Sequence, residues 1–153
     1  MSRAFVKETD SDKVGLPDRP ISLHRNLVTE TGLAEIEAAL ARFETAHRTS
    51  AEQGDQEGAA AALREVRYWK ARRASAELIQ PADDRSKASF GMTVTLRRGD
   101  GREQTFRIVG EDEADPSRGT VSYVSPLALA VLAHSAGDTV VIGASEAVLL
   151  NVR

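Results

Sequence analysis

Residues 107–132 read RIVGEDEADPSRGTVSYVSPLALAVL. An alternating apolar segment ends at a glycine, four carboxylates follow (Glu111, Asp112, Glu113 and Asp115), and a second apolar segment over 120–124 runs into Ser125-Pro126. Serine followed by proline marks a helix start: the hydroxyl accepts from a free N–H of the first turn, and proline at the first helical position has no N–H to leave unsatisfied. Leu127, Leu129, Val131 and Leu132 then populate a short helix that ends near Ser135. The stretch therefore reads as strand, acidic loop, strand and short helix.

Upstream of it the period of two continues. Met92, Val94 and Leu96 alternate with polar residues, RRGDGRE (97–103) supplies a hairpin turn, and Phe106 and Ile108 resume the alternation. Downstream, Gly137-Asp138 turns the chain into TVVIG, and EAVLLNV gives a last strand. Residues 90–153 are thus expected to form a small α+β unit, a mostly antiparallel sheet covered by one short helix.

Farther toward the N-terminus the period changes to that of a helix. Leu33, Ile36, Leu40 and Phe43 line one face, with Thr29 or Thr31 as the cap. The pattern fades by Thr49, TSAEQGDQEG (49–58) reads as a turn, and residues 59–79 contain only helix formers until Pro81 stops the run. Ala62, Val66, Trp69, Arg73 and Ala76 fall on one seam. Residues 29–80 are expected to be an antiparallel coiled-coil hairpin roughly 30 Å long. Its alanine-rich seam buries little area, so it needs docking at its base, with Trp69 supplying apolar contact there. Arg73, on the seam, is expected to snorkel or pair. Residues 81–89 read as a linker, and residues 1–28 as an extended or mobile arm.

Composition narrows the function. Hydrophobic residues are 41% and charged residues 28%, so a folded soluble protein is expected. The first twenty residues lack an apolar signal core, which points to the cytoplasm. Without cysteine there is no thiol nucleophile and no thiolate metal site. His24, His47 and His134 sit in three separate segments with no metal-ligand spacing, and RRGDGRE lacks the context of a phosphate loop. Ser125 belongs to no nucleophile motif. A formal charge of −3 argues against binding nucleic acid through bulk electrostatics.

The segments RIVGEDEAD, VSYVSPLALAVL and GDTVVI, in this order after a helical hairpin, resemble the C-terminal domain of the Gre family of bacterial transcript cleavage factors, GreA and GreB. The resemblance is specific over 90–142, weaker through the hairpin, and has no counterpart for the first twenty residues. It implies an FKBP-like topology for the C-terminal domain. The chain looks closer to a short-armed GreA/GreB-like or Rnk-like member. The resemblance also implies a partner: such domains dock on the rim of the RNA polymerase secondary channel, against the β′ subunit, and the coiled coil enters the channel. The docking residues map to Glu111, Asp112, Glu113, Asp115, Val124, Ser125 and Pro126. Val124 stands where the family has Asn or Asp, which removes one polar rim contact.

In the cleavage factors the hairpin tip brings acids to a second Mg²⁺ of the polymerase, since a hard cation is held far better by two carboxylates than by one. The family tip reads approximately Gly-Asp-Leu-x-Glu-Asn-Ala-Glu-Tyr; the aligned stretch here, 54–62, is GDQEGAAAA. Asp55 matches the first acid, but Gly58 occupies the position of the second. Glu57 and Glu52 are displaced acids that could approach the polymerase metal. From Thr29 to Asp55 the arm is about eight residues shorter than in the cleavage factors, or roughly 12 Å at helical rise. The resemblance therefore implies a polymerase-binding regulator with no catalytic residues or cofactor of its own, whose incomplete tip argues against cleavage stimulation. The basic residues Arg64, Arg67, Lys70, Arg72 and Arg73 suit an acidic channel wall or RNA phosphate, or else form ordinary surface charge pairs. The alternative is a Rnk-like adaptor acting on another enzyme. Prolyl isomerase activity is disfavoured, because aromatic residues are only 5% and a proline pocket needs an aromatic lining.

Overall fold

A computed structural model describes residues 16–153. Helix α1 (Glu30–Glu52) starts at Thr29, whose hydroxyl accepts from Gly32 N at 3.0 Å, and carries Glu30 at its positive end. It outlasts the apolar pattern by a turn. The reversal needs only residues 53–55, because Gly54 takes φ +69°, a conformation open to glycine without cost. Asp55 then caps helix α2 (Gln56–Ser75).

Helix α2 stops four residues short of Ile79, where the absence of Gly and Pro places its end. The reason is tertiary. Asn26 Nδ2 donates to Arg72 O at 2.7 Å and to Ser75 Oγ at 3.2 Å, occupying the end of the helix. The N–H groups of Glu77 and Ile79 donate to Asn26 O and Val28 O, so β2 (Glu77–Leu78) pairs in parallel with β1 (Leu27–Val28). A two-residue parallel pair has no periodicity to betray it in the sequence.

The hairpin core is thin, with Ile36, Ala62 and Val66 buried between the helices. Residues 16–26 are extended along α2. Asp18 accepts from Arg67 Nε at 2.6 Å, and Arg19 pairs with Glu65 at 2.7 Å while its guanidinium lies 3.6 Å from the Tyr68 ring centroid. The remainder of the expected arm, 1–15, lies outside the described residues.

The second half contains β3 (Thr93–Arg98), β4 (Glu103–Val109), β5 (Thr120–Ser122), α3 (Pro126–Val131), β6 (Thr139–Ile142) and β7 (Ser145–Val152). The sheet order is β5-β4-β3-β7-β6, antiparallel throughout except for the parallel pair β4–β5. Alternation in these strands puts Val94, Leu96, Phe106, Ile108, Ala147 and Leu149 on one face, packed against Ala128 and Val131 of α3. Each large side chain buried here is worth about 1.5–3 kcal/mol, against little for the alanines of the hairpin. The stretch expected to be a linker adds to this core: Ala88 is buried, and it exchanges backbone hydrogen bonds with Ala133 and His134. The architecture is α+β, a helical hairpin followed by a mixed sheet with one short helix.

Candidate functional site

The acidic loop lies where three parts of the chain meet: the end of α2, the extended residues 22–29, and the loop leaving β4. Gly110 begins it. A Cβ at this position would overlap Leu27 O, so only glycine lets residues 27–28 pass this close.

Beyond Gly110 the carboxylates turn inward. Arg72 Nε donates to Asp112 Oδ2 at 2.6 Å, and its Nη2 donates to Asn26 Oδ1 at 2.8 Å. The same Nη2 lies 3.7 Å from Glu111 Oε2, a buried oxygen that accepts no hydrogen bond among the described residues. The side chains of Arg72 and Asp112 are 2% and 8% exposed. Tyr68 Oη donates to Asp112 Oδ1 at 2.5 Å. Burial, and then this bond to a carboxylate, push the Tyr68 phenol up to about 12. Glu111 Oε1 accepts from Ser22 Oγ at 3.0 Å and faces His24 Nδ1 at 3.3 Å. Glu113 accepts from the hydroxyl of Thr29, the same hydroxyl that caps α1.

Asp115 does something else. It caps the short 3₁₀ turn Pro116–Arg118, accepting from Ser117, and those bonds hold its carboxyl below the usual range. Of the four carboxylates expected to face a partner, three are used within the chain. The fourth shapes its own loop.

The Ser-Pro turn does face outward. Tyr123 N donates to Val109 O, which sets residues 123–125 beside the start of the acidic loop. Ser125 Oγ accepts from Ala128 N at 3.2 Å as the cap of α3. Pro126 is exposed, Val124 is half-buried, and Leu129, one turn along α3, is 61% exposed.

At the far end of the hairpin, Asp55 Oδ1 accepts from Gly58 N at 2.9 Å. A Cβ at residue 58 would overlap Asp55 Oδ2 and lie 2.9 Å from Ser50 Oγ. Asp55 thus folds onto the start of its own helix, with its Oδ2 in the space that a side chain at residue 58 would take. Glu52, Asp55 and Glu57 are exposed, and no cluster of His, Cys, Asp and Glu suited to a metal ion occurs among the described residues.

Arg72 is the junction residue whose burial the sequence does not reveal. Composition groups it with the surface cations of α2, whereas its neighbour Arg73 is the exposed one, pairing with Glu37 at 3.4 Å. A signal existed in the surplus of cations on α2 and of carboxylates in the loop, but nothing in the spacing selects residue 72.

A family model described as "Transcription elongation factor, GreA/GreB, C-term" matches residues 82–152. The transcription elongation factor GreA of Desulfovibrio desulfuricans is 33% identical over 134 residues, covering 79% of this chain and 82% of that protein. The chain belongs to the GreA/GreB family. GreB of Neisseria meningitidis serogroup A is 40% identical over 85 residues, 54% of this chain and 52% of that protein, so the chain spans about half the length of its GreB relatives. Among solved structures, the GreA factor homolog Gfh1 of Thermus thermophilus covers 85% of this chain and 99% of its own at 17% identity and a TM-score of 0.40. The family-model match includes the acidic loop and the Ser-Pro turn but not the hairpin tip. No described helix of this GreA/GreB-family chain is long and apolar enough to cross a membrane.

Proposed function

We propose that this chain is a cytoplasmic transcription elongation factor that binds RNA polymerase, docking by its C-terminal half on the β′ subunit at the rim of the secondary channel. The hairpin is then aimed inward. The observation that carries this reading is the GreA/GreB match over residues 82–152, which contains the outward-facing turn Val124, Ser125 and Pro126. Leu129 extends that turn with exposed apolar surface. Glu111, Asp112, Glu113 and Asp115 contribute by their field: four carboxylates in one loop, two of them beside the buried guanidinium of Arg72, leave the loop negative, favouring encounter with a basic partner.

The chain is a regulator without chemistry of its own. Its tip does not complete a metal site, because Asp55 is a helix cap and residue 58 has no side chain. Asp55, Glu57 and Glu52 approach the polymerase centre as charges, not as a ligand pair.

Two assays on one preparation test this. Purified polymerase should bind the chain saturably at modest salt, and Leu129→Asp should weaken binding roughly tenfold or more, the loss of one anchor. In stalled, backtracked complexes the chain should not shorten the RNA faster than polymerase alone. Absent binding would remove the whole proposal; Mg²⁺-dependent shortening abolished by Asp55→Ala would remove its second part.

A further inference from the structure

We infer that the acidic loop and Arg72 form an intramolecular latch that fixes the direction of the hairpin relative to the C-terminal half, with Arg72 as the positioning residue. Three observations converge on it. Arg72 is the one fully buried cation among the described residues, and its partners come from both other parts of the junction, Asn26 from the extended segment and Asp112 from the loop. Asn26 closes a reciprocal pair, accepting from the Arg72 guanidinium while donating to the Arg72 carbonyl, so side chain and helix end are held together. Glu113 binds the capping hydroxyl of Thr29, which ties the first turn of α1 to the same loop that holds the last turn of α2.

Both helices are thus gripped at their base by one loop. A planar guanidinium with several donors in fixed directions can satisfy partners from two elements at once only at one relative orientation. Each buried partner left without it would be an unpaired polar group, so competing orientations are penalised. Val28, Phe90, Met92 and Val109 are buried outside the sheet core, but apolar burial is non-directional, and polar geometry is what selects the angle.

What the arm is aimed at rests on the polymerase reading; that it is held does not. The test therefore uses the free protein. With no native cysteine, Gln53→Cys at the tip and Ala136→Cys in the C-terminal half give a clean pair for spin labels. Double electron–electron resonance should return one narrow distance distribution. Arg72→Met should broaden or shift it, while Arg73→Met, which removes the adjacent exposed cation, should leave it unchanged. Circular dichroism reports whether helix content survives, and Arg72→Lys and Asn26→Ala are measured beside Arg72→Met so that a variant that fails to fold does not decide the outcome. Lysine keeps the charge without the fork, so Arg72→Lys should also broaden the distribution. A wild-type distribution in folded Arg72→Met or Arg72→Lys protein overturns the inference, as does a broad distribution in the parent chain. Polymerase affinity of the same variants separates the two ideas: docking through the Ser-Pro face should persist when the latch is broken.

Discussion

At residue 55 a carboxylate caps α2 by accepting from Gly58 N, and a Cβ at residue 58 would make its Oδ2 shift. Asp55→Ala should therefore cost about 1 kcal/mol through loss of the cap. Asp55→Asn, which keeps a capping oxygen, should cost less than about 0.5 kcal/mol; chemical denaturation of both variants measures the difference. Tyr68 makes a second prediction at this scale. Its phenol is raised from 10.0 to about 12 in the folded chain, so the folded state keeps a proton that the unfolded state releases. The associated stability is fully present below about pH 10 and is lost as pH rises toward 12, and Tyr68→Phe should flatten that part of the stability profile. The cap at Ser125 is legible in the sequence because its donor lies three residues away. The burial of Arg72 is not, since its partners Asp112 and Asn26 stand 40 and 46 residues away and no local pattern links them.

Among elements, the pairing of β1 with β2 is the part that periodicity cannot reveal, since each strand is two residues long. It exists because α2 ends at Ser75 and because Gly110 leaves room for the backbone of Leu27. Gly110→Ala should push residues 27–28 outward and destabilise the chain by about 1–3 kcal/mol, the usual cost of overpacking. Hydrogen exchange at the amides of Glu77 and Ile79, which donate across this pair, should quicken first. Gly99→Ala is the control: the nearest atom to its added Cβ is 4.0 Å away, and its effect should stay within about 0.5 kcal/mol. The large sheet, by contrast, follows from alternation alone. Val94 and Leu96 face Phe106 and Ile108 as the pattern requires, and the turn residues 99–102 fix the register between β3 and β4.

Seen whole, the molecule is a helical arm, its 23-residue first helix about 35 Å long, fixed by polar contacts to a compact sheet domain whose Ser-Pro face is open. The order of hairpin and sheet is readable from the switch in period near residue 90. Which way the carboxylates turn is not, because an acidic loop looks the same in sequence whether it meets a partner or another part of its own chain. On the proposed function, the sheet domain seats this arm on RNA polymerase. Photo-crosslinking groups placed at Leu129 and at Gln53, each in otherwise unaltered protein, test it most directly. Leu129 should couple to the β′ subunit at the channel rim and Gln53 to residues deeper inside the same channel. Coupling from neither position, or from Gln53 with none from Leu129, would contradict it.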